Sequence, residues 1–208
     1  MCSSDLFLMK LYTSLTSPFG RKCRMVAHVA GIADRVEVTE IDYKGEAYRK
    51  LNPLGKVPAL ARDDETILID SPLISAYLAS LGDEAAVYPE NPEARWQALC
   101  LESLADGITD AGILIFMENK RREEHRSQGW IDAQTTKINA GLDAIDAVAG
   151  EFGDSTQIGI LAVAAAVSWL ELRRIVDDIR TDRANLSAWL DKIADADFMT
   201  ATAPPPGA

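Results

Sequence analysis

The chain has 208 residues, a formal net charge of −11 and 48% hydrophobic residues, which suits one large or two small domains with a buried core. The excess acid lies in the second half: residues 1–82 carry 10 basic and 10 acidic side chains, and residues 83–208 carry 11 and 22. An acidic second half argues against nucleic acid and anionic membrane as partners. No apolar run approaches the roughly 18 residues of a membrane span, so no membrane partner is expected.

The first eight residues, MCSSDLFL, lack the basic flank of a signal peptide. We predict that they are a tag remnant or follow an upstream start codon, that Met9 is the natural first residue, and that the protein is cytoplasmic. Its three cysteines and two histidines show no metal-ligand spacing, so no metal site is expected.

Strand and helix signals alternate over the first 82 residues. Apolar patterning predicts strands at 10–14, 36–41, 57–61 and 66–69, of which the last two form a hairpin. Ser-Pro pairs predict two helix starts, at Ser17 and Ser71, because Ser is a favourable N-cap and Pro fits the first helical turn. The order β-α-β-loop-β-β-α predicts a thioredoxin-like α/β domain over residues 9–82.

The rest of the chain carries helical periodicity and no strand signal. Residues 83–92 contain two prolines and are predicted to form a linker. Helices are predicted at 96–117, 129–148, 156–172 and 186–194, with a disordered Ala/Pro-rich tail from residue 201. We therefore predict an all-helical bundle domain over residues 93–200.

The start of the first helix has features that suit a thiolate. A helix N-terminus carries about half a positive charge, and Arg21 and Lys22 are expected to add more. The Ser17 hydroxyl could donate a hydrogen bond to a sulfur, and because no cysteine stands there, the thiolate would belong to a ligand. The alternative is that Ser17 only caps the helix.

Two further motifs suit the rest of such a ligand. Val57-Pro58 favours a cis peptide, which would turn the Val57 backbone groups outward to pair with an extended peptide. At the next helix start, backbone N–H groups and Ser71 could hold a carboxylate, and Asp70 an ammonium group. A simple turn and a plain helix cap are the alternatives. Together, the three motifs describe glutathione.

In this order, the motifs resemble the N-terminal domain of bacterial glutathione transferases. The residues that carry the resemblance are SPFGRK (17–22), NPLGKVPAL (52–60), the Asp-Ser pair before Tyr77-Leu78, and NLSAWL (185–190) in the last helix. The resemblance implies a Ser/Thr-dependent rather than a Cys-dependent type. Ser17 is then the activating hydroxyl, with Ser14 and Thr16 as rivals. The residues it implies for glutathione binding are Phe19, Lys56, Val57, Pro58, Asp70 and Ser71.

The resemblance also implies an activity. The protein would be a homodimeric glutathione S-transferase that conjugates the glutathione thiolate to a small apolar electrophile. The electrophile would lie on an apolar surface of the C-terminal domain. Ile113, Met117 and Trp169 are the candidate residues of that surface. A non-catalytic glutathione- or ligand-binding protein of the same fold is the alternative, and the presence of Asp70 where family members usually carry Glu leaves room for it.

The buried helix at 156–172 departs from the family pattern. Relatives have a Ser/Thr-x-x-Asp capping box there, whereas this chain has Thr156 and Gly159. We expect Thr156 to cap the helix and Gly159 to leave the second bond unmade. On this basis, Gly159→Asp would raise the melting temperature.

Overall fold

The computed structural model describes residues 8–42 and 45–207. The prediction of a tag remnant or an upstream start codon concerns residues 1–7, which lie outside these ranges. The first half forms a four-stranded sheet of order β2-β1-β3-β4 with helices packed against it. Its elements are β1 (Met9–Thr13), α1 (Pro18–Val29), β2 (Val36–Glu40), α2 (Glu46–Leu51), β3 (Ala59–Ala61), β4 (Ile67–Leu68) and α3 (Ser71–Ser80).

The sheet is mixed, as the thioredoxin-like arrangement requires. β1 pairs parallel to β2, with Leu11 opposite Val38, and antiparallel to β3, with Leu11 opposite Leu60. β3 pairs antiparallel to β4, which places Leu60 opposite Leu68. Leu11 and Leu60 are completely buried in a core that also contains residues of α1 and α3. The predicted thioredoxin-like fold is confirmed.

The second half is helical, as predicted. Its helices are α4 (Glu84–Val87), α5 (Pro92–Asn119), α6 (Gln128–Ala149), α7 (Ile158–Arg173), α8 (Ala184–Ile193) and α9 (Asp197–Thr200). Short 3-10 turns span Ala33–Arg35 and Glu123–His125. α7 is apolar around nearly its whole circumference and packs between α5 and α1. None of the helices in the described ranges is long and apolar enough to cross a membrane.

Three short helices were not predicted. α2 lies in the segment interpreted as a loop, α4 lies in the segment interpreted as a linker, and α9 follows the last predicted helix. They are too short, at six, four and four residues, to show the periodicity that identifies a helix. α2 matters for the site because it carries the buried Tyr48.

The start of the predicted disordered tail is ordered. Thr202 is completely buried and accepts a hydrogen bond from Arg21 Nε at 3.2 Å. Arg24 Nη2 donates to the Ala201 carbonyl at 3.3 Å. The prediction of disorder is wrong for these residues, because composition does not show that cations on α1 bind this segment.

The capping interpretation of α7 is also wrong. The Thr156 hydroxyl donates to the Ala86 carbonyl at 2.9 Å, and Gln157 is the N-cap residue without a side-chain capping bond. A Cβ on Gly159 would lie 2.6 Å from the Ala98 carbonyl oxygen and 2.7 Å from Leu101 Cβ. Gly159 thus permits close packing of α7 on α5, and the structure reverses the expected sign of Gly159→Asp.

Candidate functional site

A cleft of about 420 Å³ separates the first domain from α5. It is lined by Phe19, Asn52, Leu54, Lys56, Val57, Pro58, Ile69, Asp70, Ser71, Pro72, Asp106 and Asp110. All six residues predicted to bind glutathione therefore line one cleft, although they come from three separate segments of the chain. Their role in binding stays a prediction.

The loop before β3 presents its backbone to this cleft. The Val57–Pro58 peptide is cis, as predicted. The Tyr48 hydroxyl and Asn52 Nδ2 each donate to the Lys56 carbonyl at 2.6 Å, which fixes the residue before Val57. Among the described residues, none forms a hydrogen bond with the Val57 backbone. Its N–H and C=O are thus available to an extended ligand.

The start of α3 supplies charge and free donors on the same cleft. Asp70 is the N-cap residue, yet its carboxylate makes no capping hydrogen bond, and the side chain is exposed. Ser71 is 2% exposed and begins the helix. The first N–H groups of a helix attract carboxylates, so this position suits the two charges of an amino-acid head group.

The three candidate hydroxyls lie beside the cleft rather than on its lining. Ser17 Oγ accepts a hydrogen bond from Gly20 N at 3.1 Å, so Ser17 does cap α1. Its own hydrogen has no acceptor within the described ranges. Ser14 Oγ and Thr16 Oγ1 lie 3.1 Å apart and share one hydrogen bond. Thr16 and Ser17 line a separate crevice of about 10 Å³ with Trp169 and other residues, Leu15, Pro18, Arg21, Leu172 and Pro204.

A glycine fixes the position of the α1 N-terminus. A Cβ on Gly20 would overlap Thr13 Oγ1 at the end of β1, and Thr13 is completely buried. The absence of a side chain at Gly20 therefore lets the first turn of α1 lie directly on β1. This contact places Ser17 and Phe19 at the edge of the cleft.

Lys22 does not add charge to the helix start as predicted. Its Nζ lies 2.9 Å from Glu102 Oε1 and 2.6 Å from Asp106 Oδ2, and the side chain is 1% exposed. Burial alone would lower the pKa of Lys22, but the carboxylates of Asp106 and Glu102 outweigh burial and raise this pKa. Lys22 therefore stays protonated, and the two carboxylates balance its charge inside the interface between the domains.

Arg21 is also directed away from the cleft. Its Nη2 donates to the Met199 carbonyl at 3.0 Å. Burial, with a smaller effect from Arg24, lowers the pKa of Arg21 to about 10. The positive potential at the start of α1 thus comes mainly from the helix itself.

The opposite wall of the cleft is acidic. Burial raises the pKa of Asp106, and Lys22 opposes that shift. Burial also raises the pKa of Asp110, with Lys56 opposing and Asp70 reinforcing the shift. Sequence reasoning missed Asp110, because its charged neighbours are distant along the chain. Within the described residues, no cluster of His, Cys, Asp and Glu could hold a metal ion.

The buried cysteine of α1 is unsuited to thiol chemistry. Cys23 is fully buried, and its Sγ donates to the Ser71 carbonyl at 3.8 Å. Burial raises the pKa of Cys23 to about 12, so the thiolate is scarce at neutral pH. Cys23 thus contributes to packing rather than to thiol chemistry.

Comparisons with known proteins are consistent with this geometry. The family profile described as glutathione S-transferase, N-terminal domain, matches residues 11–86. The chain is 32% identical over 201 residues to the uncharacterized GST-like protein YibF of Escherichia coli K12, covering 95% of this chain and 99% of YibF.

Solved structures match over nearly the whole chain. A glutathione transferase family member from Pseudomonas fluorescens Pf-5, with bound glutathione, has a TM-score of 0.88 at 33% identity, covering 95% of this chain and 99% of that chain. A second structure of this family member holds S-(propanoic acid)-glutathione, and its TM-score is 0.86 at 33% identity, with 95% and 100% covered.

Proposed function

The chain belongs to the glutathione S-transferase family, and we propose that it conjugates the thiolate of glutathione to a small apolar electrophile. The observation that carries this proposal is the cleft itself, which joins the free Val57 backbone to the uncapped start of α3 beside the α1 N-terminus. Each feature suits a different part of glutathione. Glutathione is therefore the co-substrate that fits.

Glutathione would lie extended across the cleft. Its γ-glutamyl ammonium would pair with Asp70, and the adjoining carboxylate would accept hydrogen bonds from Ser71 and the first turn of α3. Its cysteinyl backbone would pair with Val57 in a short antiparallel ladder. Lys56 would lie near the glycyl carboxylate. This orientation directs the sulfur to the start of α1.

Ser17 is the preferred activating hydroxyl. Its oxygen already accepts from Gly20, so its hydrogen is free for a sulfur acceptor. Ser14 and Thr16 bond to each other and would have to break that bond first. A hydrogen bond to the thiolate together with the helix dipole would lower the thiol pKa by about one to two units.

The substituent on sulfur would extend toward the C-terminal domain. Met117 is 54% exposed, and Ile113 lies on the same face of α5. Trp169 is only 6% exposed and shares the crevice with Ser17. In the Pseudomonas fluorescens relative, the bound glutathione carries a propanoic acid group on its sulfur. This ligand supports the proposal that the cleft has space for a substituent on the sulfur.

Replacing Ser17 by Ala tests the proposal. We expect kcat/KM for conjugation of 1-chloro-2,4-dinitrobenzene to fall about 10- to 100-fold, as for the loss of a hydrogen bond to a charged acceptor. The Kd for glutathione should change little, because the backbone and charged contacts remain. Ser14→Ala and Thr16→Ala are the matched controls. If one of them lowers the rate while Ser17→Ala does not, the activating role belongs to that residue.

A non-catalytic glutathione-binding protein is the second candidate. The observation that favours it is the limited access to Ser17. The crevice at this residue measures only about 10 Å³, and Ser17 is 9% exposed. Glutathione binding by calorimetry without turnover, and with no effect of Ser17→Ala, would assign this function instead. Absence of glutathione binding would rule out both candidates.

We also propose that the protein is a homodimer. Large apolar side chains on α3 and α5 are exposed in the single chain: Leu73 is 51%, Trp96 64% and Leu104 36% exposed. Sedimentation should give a mass twice that of the 22.6 kDa chain. A monomer at micromolar concentration would contradict the proposal. A cytoplasmic location stays a prediction.

A further inference from the structure

Two cations converge on one aromatic ring at the C-terminal ends of α5 and α7. Lys120 Nζ lies 4.0 Å from the centroid of the Phe116 ring, and Arg173 Cζ lies 5.4 Å from it. Phe116 in turn packs edge-on against Trp169, with ring centroids 5.9 Å apart. Lys120 and Arg173 thus form a cation pair over one ring.

Within residues 8–42 and 45–207, the cation pair has no anionic partner. No carboxylate in the described part of the chain forms a salt bridge with Lys120 or Arg173, and Arg173 Nε is buried without a hydrogen-bond partner. Holding two like charges over one ring without an anion costs electrostatic free energy. Cations at helix C-termini also interact favourably with the helix dipole. That interaction does not require two cations to share one ring, and it does not require a buried donor to stay unpaired.

One stripe of α5 connects the cleft to the cation pair. Asp106, Asp110, Ile113, Met117 and Lys120 follow one another at alternating spacings of four and three residues, so they lie on one helix face. Asp106 and Asp110 line the glutathione cleft. At about 1.5 Å per residue, Lys120 lies roughly 15 Å along the axis from Asp110, with the apolar residues between them.

A second connection runs along α7. Trp169 lines the crevice with Ser17, and Arg173 follows one helical turn later on the same face. Along α7, as along the part of α5 beyond Asp110, an apolar side chain is therefore followed by a cation farther from the reacting end.

We propose that the electrophile conjugated by this protein carries a carboxylate, which binds between Lys120 and Arg173. This inference rests on the proposed transferase function and narrows its substrate class. The apolar body of the electrophile lies against Ile113, Met117 and Phe116, with its reactive carbon toward the glutathione sulfur. The carboxylate pairs with the guanidinium group of Arg173 and with the Lys120 ammonium.

A matched pair of aryl chlorides tests this assignment: 4-chloro-3-nitrobenzoate and its neutral amide, 4-chloro-3-nitrobenzamide. The glutathione thiolate attacks the carbon that bears chlorine, a C–S bond forms, the C–Cl bond breaks and chloride leaves. Each kcat/KM is divided by the uncatalysed rate constant with glutathione, which removes the difference in intrinsic reactivity. The ratio of the two corrected values is the carboxylate selectivity.

We expect the carboxylate selectivity to fall about tenfold in Arg173→Met and in Lys120→Met, mainly through KM for the benzoate. Methionine keeps the aliphatic contact with Phe116 and removes the charge. Arg173→Lys should retain much of the selectivity. Arg174→Met, which removes an exposed neighbouring cation not stacked on Phe116, should leave it unchanged.

Other results would overturn the inference. An equal loss of kcat/KM for both aryl chlorides would show that the cation pair only stabilises the helix ends, and an unchanged selectivity would show that it does not bind substrate. If the wild type conjugates neither compound, turnover of 1-chloro-2,4-dinitrobenzene decides whether the proposed function itself fails. In that case, calorimetry with the two S-aryl glutathione conjugates decides the inference, which requires tighter binding of the carboxylated one and loss of that preference in Arg173→Met.

Discussion

Replacing Lys22 by Met is expected to lower the free energy of unfolding by about 3–5 kcal/mol at pH 7. The substitution leaves Glu102, with a side chain 5% exposed, and Asp106, 20% exposed, without their cation. Urea unfolding of the wild type and the variant measures the difference. Lys50→Met is the matched control, since Lys50 is 76% exposed and lies 3.8 Å from Glu46, and its removal should change stability little.

The sign of the pH dependence identifies the cause. Burial raises the pKa of Asp106 and Lys22 opposes that shift, so in Lys22→Met the pKa of Asp106 lies well above its unfolded value. A group with a raised folded-state pKa contributes stability below its unfolded pKa and loses that contribution as pH rises through the folded pKa. Relative to the wild type, the variant should therefore regain stability as the pH falls from 8 to 5. A small pH-independent loss would contradict a buried ion cluster.

Gly159→Asp is expected to destabilise the protein by at least about 3 kcal/mol, and Gly159→Ala by about 1–3 kcal/mol. Any Cβ here would lie 2.6 Å from the Ala98 carbonyl oxygen, so α7 must move away from α5. Aspartate would add a charge in a buried position. For a chain of this size, each kcal/mol lowers the melting temperature by about 2–4 °C.

Gly107→Ala is the matched control for the glycine experiment. Gly107 is exposed on α5, and nothing lies within 4 Å of the position that its Cβ would occupy. Alanine there should stabilise the protein by about 0.5–1 kcal/mol through helix propensity alone. A higher melting temperature for Gly159→Asp would restore the capping interpretation and contradict the close packing of α5 and α7.

The parts of the site that could be predicted from the sequence each have a local cause. Ser17 before Pro18 marks a helix start, Val57 before Pro58 marks a cis peptide, and Asp70 precedes the next helix start. Capping and X-Pro geometry depend on residues within one turn, so a short motif is enough to recognise them. The cleft follows once the thioredoxin-like order brings these segments together.

The parts that could not be predicted depend on contacts between the two domains. Lys22 resembles a free cation near a helix start, but its partners, Glu102 and Asp106, lie on α5. Arg21 likewise binds Thr202 in the segment predicted to be disordered. A charge pattern along one chain does not show which opposite charges the fold places beside it, so the sequence overstated the positive charge at the start of α1.

Gly159 shows a related limit. Its position three residues after Thr156 matches a degraded capping box, and that local interpretation predicted a stabilising Asp. The structure shows that the Thr156 hydroxyl binds Ala86 instead, and that α5 occupies the space beside Gly159. The close packing of α7 on α5 requires a glycine at this position. A four-residue motif contains no signal for such packing, because the contacting residues lie on another helix.

The most direct test of the central claim is a titration of the thiol of bound glutathione, followed by the ultraviolet absorbance of its thiolate. We predict that the wild type binds glutathione and lowers the thiol pKa about one to two units below the free value of about 8.5. In Ser17→Ala, glutathione should still bind, and its thiol pKa should return toward the free value. Bound glutathione with an unshifted thiol in the wild type would contradict activation at the α1 N-terminus, and absence of binding would contradict the cleft assignment itself.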